Sequence, residues 1–202
     1  MSSNVQVHVI DDDDAMRDSL CFLFETSGLV AQAYPSAVAF IEAMPHVGGC
    51  IVTDIRMPEM TGLELVRMLR VMGSTLPVVV MTGHGDVPLA VEAMKAGVID
   101  FLEKPFREET MISAVMSALK SGEETARRDA MRDGVLARRD QLAPRERQVL
   151  DALVDGKANK VIAHEMGISA RTVEIYRANV MTKMQAASLS ELVRMVLLAS
   201  PQ

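Results

Sequence analysis

The stretch VQVHVIDDDDAMRDSL, residues 5–20, changes character at its centre. Residues 5–10 are mostly apolar and read as a β-strand. Four aspartates follow, Asp11 to Asp14, and residues 14–27 then take up helical spacing. A strand apolar on both faces that leads directly into a helix is the opening unit of a parallel sheet covered on both sides. The four adjacent carboxylates repel one another. Either they form a solvated loop with a helix cap, or they collect negative charge to hold a cation.

The alternation continues down the chain. Apolar runs at 50–54 and 77–82 read as strands, with a shorter one at 98–103 and a weaker one at 30–34. Helical patterns occupy 37–44, 62–71, 87–96 and 108–119. Five strands alternating with five helices predict an α/β fold, a flavodoxin-like doubly wound five-stranded parallel sheet. Chemistry in such sheets gathers at the carboxyl ends of the strands. Asp11, Asp12, Asp54, Thr82 and Lys104 all fall there.

Composition sets outer limits. Hydrophobic residues make up 49% and charged residues 24%, a folding rather than a disordered balance. The opening residues have no secretory apolar segment, and no apolar run is long enough to cross a bilayer, so a cytoplasmic location without membrane attachment is expected. Cys21 and Cys50 lack metal-ligand spacing and read as reduced core thiols. Charge divides the chain. Residues 1–120 carry 8 Lys and Arg against 16 Asp and Glu, residues 121–140 carry 5 against 5, and residues 141–202 carry 8 against 6. This predicts an acidic domain over 1–120, a charged and partly helical linker over 121–140 that a plain solvated extension of the preceding helix fits equally well, and a mildly basic domain over 141–202.

The last segment reads as four helices. Pro144 opens the first and Gly156 closes it; a short helix spans 159–166. Gly167 then offers a left-handed turn, Ser169 caps a longer helix to about Met184, and a last helix covers 189–198. The short helix, turn and longer helix match a helix-turn-helix. Val173, Tyr176, Val180 and Met184 form its buried stripe. The opposite face presents Arg171, Thr172, Glu174, Arg177, Ala178 and Met181, with Lys183 near the far end and Lys160 on the preceding helix. Such side chains reach base edges or phosphates in duplex DNA. A plain four-helix unit with a solvated charged face fits the same periodicity.

Asp11 and Asp12 after the first strand and Asp54 at the end of the third converge on one pocket, because those strand ends are neighbours in a parallel sheet. A hard divalent cation relieves their repulsion, and Mg²⁺ suits carboxylates, waters and a phosphate oxygen. Lys104 and Thr82 would add the donors that neutralise a phosphoryl group. Asp14 is expected to cap the first helix, and Asp13 to be a solvated rim residue.

With these residues in place, VIDDD (9–13), VTDIRMPEMTG (52–62) and VMTGHGDVPLAVEAMKAGVIDFLEKPF (80–106) resemble the receiver domain of two-component response regulators. LAPRERQVLDALVDGKANKVIAHEMGISARTVEIYRANVMTKM (142–184) resembles the LuxR-type DNA-binding domain. The first resemblance implies that Asp54 accepts phosphate from a sensor histidine kinase. It also implies a Mg²⁺ site formed by Asp11, Asp12, Asp54 and the Arg56 carbonyl, phosphoryl contacts from Thr82 and Lys104, and an aromatic switch at Phe101 working with Thr82. Arg56 and His84 would flank the phosphoryl group, and the Lys104–Pro105 peptide would be cis.

Together the two resemblances imply a transcriptional activator that is no enzyme beyond its own phosphorylation and dephosphorylation. It would dimerise through 87–103 when phosphorylated, bind double-stranded promoter DNA and engage RNA polymerase. They also imply control of oxygen-responsive and nitrogen-fixation genes. Two departures stand out: Ala143 lacks the hydroxyl that often caps such a helix, and Glu174 is acidic where lysine is common. Two rivals remain. One is a receiver whose helical tail binds protein. The other is an Asp-nucleophile phosphatase of the haloacid dehalogenase type, whose pattern wants Thr or Val where Ala15 and Met16 stand.

Overall fold

The computed structural model describes residues 6–44, 48–83 and 87–199. It divides into two compact units, residues 1–126 and 127–202.

In the first unit β1 (Val7–Ile10), β2 (Ala31–Tyr34), β3 (Cys50–Asp54), β4 (Val78–Thr82) and β5 (Asp100–Glu103) form one parallel sheet in the order β2-β1-β3-β4-β5. The helices between them are α1 (Asp14–Thr26), α2 (Ala37–Glu42), α3 (Gly62–Val71) and α4 (Val87–Lys95), with α5 (Glu108–Asp140) last. Successive strand residues point to opposite faces, so each strand feeds two cores. Ile10, Ile51, Val78 and Val80 pack with Phe40, Leu65 and Leu69 on the side of α2 and α3. Val7, Val9, Val52, Val79 and Met81 pack with Leu20, Phe24, Met111 and Val115 on the side of α1 and α5. This two-sided burial makes the strands read as apolar runs rather than as alternating sequences.

The second unit is helical: α6 (Pro144–Val154), α7 (Asn159–Met166), α8 (Ala170–Met184) and α9 (Leu189–Ala199). Val149, Leu150, Ile162, Val173, Val180, Met184 and Leu192 are fully buried in its core. Gly167 ends α7 at φ +65°, a conformation that disfavours any side chain, and Ile168 N donates back to Ala163 O at 3.0 Å. Ser169 Oγ accepts from Thr172 N at 3.1 Å and starts α8.

One local alternative is decided and one expectation changes. Residues 121–140 continue α5 without a break, and Val135 is buried in the helical unit's core. The cap of α1 is Asp13, not Asp14. Its Oδ1 accepts from Ala15 N at 2.9 Å, while Asp14 is the first helical residue and pairs with Arg17. The extended backbone of Asp13 turns its carboxylate onto the open amides of the first turn, and a residue already helical cannot do this.

Candidate functional site

The carboxyl ends of β1 and β3 are neighbours at the point where strand order reverses, and Lys104 reaches them from the end of the edge strand β5. Asp11, one residue past β1, is 1% exposed, and Asp54, the last residue of β3, is 7% exposed. Lys104 follows β5, where its amide donates to Thr82 O at 2.7 Å. Its ammonium stands between the two acids, 2.7 Å from Asp54 Oδ1 and 2.9 Å from Asp11 Oδ2. Burial opposes that charge, but the hydrogen bonds to Asp54 and Asp11 outweigh it and raise the Lys104 pKa.

The remaining carboxylate oxygens have backbone partners. Arg56 N donates to Asp54 Oδ2 at 2.6 Å, and Asp13 N donates to Asp11 Oδ1 at 3.0 Å. Asp54 is further shaped by Gly62, the first residue of α3. A Cβ there would lie 2.3 Å from the Asp54 carbonyl oxygen, so only glycine lets the helix begin against the acid. Thr61 caps that helix in a reciprocal box with Glu64.

Thr82 is buried at the end of β4, and Phe101 is partly buried on β5 against the core shared with α2 and α3. The Lys104–Pro105 peptide is cis. Asp12 lies exposed, and the side chain of Arg56 is also exposed. His84 lies outside the described residues. Among the described residues no three His, Cys, Asp or Glu side chains are gathered as a metal cage; Lys104 supplies the counter-charge between two of the expected ligands. The chemistry of the donors still suits a hard dication. Asp11, Asp12 and Asp54 against one ammonium leave an excess of two negative charges, all on oxygen.

On the helical unit, Arg171, Glu174 and Ala178 of α8 and Lys160 of α7 are exposed. Ile175, absent from the sequence-based set, joins them at 56% exposure. Its apolar character suggests core, yet one helical turn places it with Arg171 and Ala178. Thr172 is tied to Ser169, Arg177 reaches Asn159 Oδ1 at 3.5 Å, and Met181 packs against the core. Lys183 turns away from the expected face. Its Nζ donates to Glu146 Oε2 at 2.6 Å, because that carboxylate is 4% exposed and needs a partner.

Comparison with known families decides what these two sites belong to. The response regulator receiver domain matches residues 7–116, and the luxR family of bacterial regulatory proteins matches residues 140–196. The chain is a response regulator. It carries a phosphorylatable receiver joined to a LuxR-type DNA-binding domain and is a transcriptional regulator of the FixJ kind. The transcriptional regulatory protein FixJ of Azorhizobium caulinodans is 58% identical, over 98% of this chain and 95% of that protein. FixJ of Bradyrhizobium diazoefficiens is 50% identical, over 98% of both. Among solved structures, the response regulator StyR aligns with TM-score 0.83 at 37% identity, covering 96% of this chain and 99% of that one. Full-length FixJ from B. japonicum aligns with TM-score 0.60 at 50% identity, covering 98% of each.

The response regulator shows one further feature that sequence reading missed. Beside Lys104 a cavity of about 540 Å³ opens between α1 and the start of α5, lined by Met16, Leu20, Phe22, Leu23 and Phe106. Phe22 is 69% exposed at its edge. Both thiols are disfavoured as thiolates: burial pushes the Cys50 thiol up to about 12 and also raises that of the half-buried Cys21.

Proposed function

We propose that Asp54 accepts phosphate from the phosphohistidine of a sensor kinase. The observation that carries this reading is the Lys104 ammonium held between Asp54 and Asp11, a cation waiting where phosphoryl charge would arrive. A carboxylate oxygen of Asp54 attacks phosphorus in line, the P–N bond to the kinase breaks, and an acyl phosphate forms. Lys104 follows the phosphoryl oxygens, and Thr82 donates its hydroxyl to them. Asp11, Asp12, Asp54 and the Arg56 carbonyl would hold Mg²⁺, which supplies neutralising charge to the phosphoryl oxygens when bound. Arg56 and His84 flank the product and set its lifetime. The apolar hollow edged by Phe22 is the surface we assign to the kinase, since it is next to Lys104 and presents uncovered apolar area.

Inward movement of Thr82 and Phe101 biases the α4–β5 surface, where Val87, Val91 and Met94 are exposed, and a dimer forms there. Dimerisation doubles a weakly basic DNA face and matches a two-half-site operator. Arg171, Glu174, Ile175 and Ala178 face the bases, with Lys160 on the backbone. Thr172, Arg177 and Met181 support that face, and Lys183 leaves the contact set. We assign the receiver to 1–120 and the DNA-binding domain to 141–202, with 121–140 a helical connector that the two compact units share at residues 126 and 127 and whose Val135 packs in the second. The protein acts in the cytoplasm, without membrane attachment, as an activator that engages RNA polymerase. Its likeness to FixJ points to oxygen-responsive and nitrogen-fixation genes.

The test treats wild type and Asp54→Asn with a small-molecule phosphodonor and Mg²⁺, then reads mass, dimerisation and promoter footprint. Wild type should gain one phosphate, dimerise and protect DNA; Asp54→Asn should do none of these. Phosphate gain without dimerisation or tighter DNA binding would overturn the activation mechanism. Multiple-turnover hydrolysis of phosphoesters would favour a phosphatase.

A further inference from the structure

Arg17 lies on α1, outside every role given so far, yet its side chain is only 12% exposed. Its Nη1 donates to the backbone carbonyl of Asp11 at 2.6 Å, and its Nη2 pairs with the Asp14 carboxylate. That carbonyl belongs to the peptide joining Asp11 to Asp12, so holding it fixes the angle at which both acids leave β1. The side chain of Asp11 is already held by Lys104 and the Asp13 amide. With its carbonyl also pinned, Asp11 is constrained at both ends, while Asp12 stays exposed and adjustable.

We propose that Arg17 is a positioning residue for the cation site. It presets the Asp11–Asp12 peptide so that binding a dication requires movement of Asp12 and Lys104 but not of the strand end. The inference rests on the reading of Asp11, Asp12 and Asp54 as a Mg²⁺ site. A positive group beside such a site works against a cation through its charge; Asp14, 87% exposed, offsets that charge from the solvent side. What remains is geometry. A planar guanidinium can hold the carbonyl and the carboxylate together with two nitrogens, which a lysine ammonium cannot do in the same fixed fork.

Mg²⁺ affinity is measured by titration calorimetry on the full chain for wild type, Arg17→Lys and Arg17→Gln, with phosphorylation rates by a small-molecule phosphodonor at low and saturating Mg²⁺. Outer groups that orient metal ligands change affinity by about tenfold to a hundredfold. Both variants should weaken Mg²⁺ binding by about tenfold, although one keeps the charge and the other removes a repelling one. Saturating Mg²⁺ should restore the phosphorylation rate, which a damaged fold would not permit. Unchanged affinity in Arg17→Lys with tighter binding in Arg17→Gln would overturn the proposal, leaving Arg17 as a charge only. Wild type that fails to bind Mg²⁺ would overturn the site reading itself. Should Arg17→Gln fail to fold, Arg17→Lys carries the test alone, since it keeps the stem and the charge.

Discussion

Each unit of the molecule buries a carboxylate against a lysine, and the two arrangements are not alike. In the receiver one ammonium serves two acids, Lys104 with Asp11 and Asp54, and Asp12 stands close by in sequence. In the helical unit one ammonium serves one acid: Lys183 meets Glu146, whose Oε2 also accepts from Ala143 N at 2.8 Å. The first set is left with excess negative charge, which the proposed Mg²⁺ would balance, and the Lys104 ammonium is the group that can meet phosphoryl oxygens. The second is balanced and ties the start of α6 to the last turn of α8. A buried ion pair with a surplus is poised for chemistry; one without it serves as a fastener.

Substituting each lysine or its partner tests that contrast. Lys104→Met should give the largest effect. Phosphate incorporation into Asp54 at saturating phosphodonor should fall by about a hundredfold or more, since a charge aimed at the transferring group is lost. A rate within threefold of wild type would remove Lys104 from the site. Glu146→Gln should leave phosphorylation untouched and lower the stability of the helical unit by about 1–3 kcal/mol, measured by denaturant unfolding. The hydrogen bond from Lys183, then that from Ala143 N, holds the Glu146 carboxyl below its usual range. A depressed pKa gives stability that is present above the unfolded value and lost as pH falls through the folded one. The gap between wild type and Glu146→Gln should therefore close on acidification below the ordinary carboxylate range. A gap independent of pH would separate the contact from its charge.

Two smaller effects sharpen the picture. Arg171→Ala should reduce the slope of log affinity against log salt by about one for promoter DNA, if that guanidinium meets a phosphate. An unchanged slope with altered sequence preference would assign it to a base instead. The smallest effect belongs to His8, fully buried on β1 beside Tyr34 and Phe40. Burial lowers its pKa, so the unfolded chain binds the proton more readily and receiver stability declines as pH falls below about 6.5. His8→Phe should flatten that decline in thermal unfolding, while the helical unit keeps its own profile.

Much of this was readable in the chain. Cys50–Asp54, Gly62–Val71 and Asn159–Met166 match their expected bounds because apolar period and turn chemistry agree there. Asp11 and Asp54 could be placed together because β1 and β3 are adjacent strands, and Lys104 could join them because its long side chain starts at the same end of the sheet. The capping of α1 could not be read, since four identical aspartates differ only in backbone angles. The bond from Lys183 to Glu146 could not be read, because helical spacing gives a direction within about one residue, whereas the need of Glu146 for a partner comes from α6. The continuity of α5 was hidden by a polar composition that describes a solvated helix and a linker equally well.

The sequence by itself determined the layered α/β unit, the helix-turn-helix and the identity of the acids, since periodicity, turn residues and motif order are local properties. Only the tertiary structure decided which acid caps, which lysine bonds inward, and that Arg17 holds the Asp11 carbonyl. Those choices depend on distances between groups brought together by folding, and a buried charge takes whichever partner the packing leaves within reach.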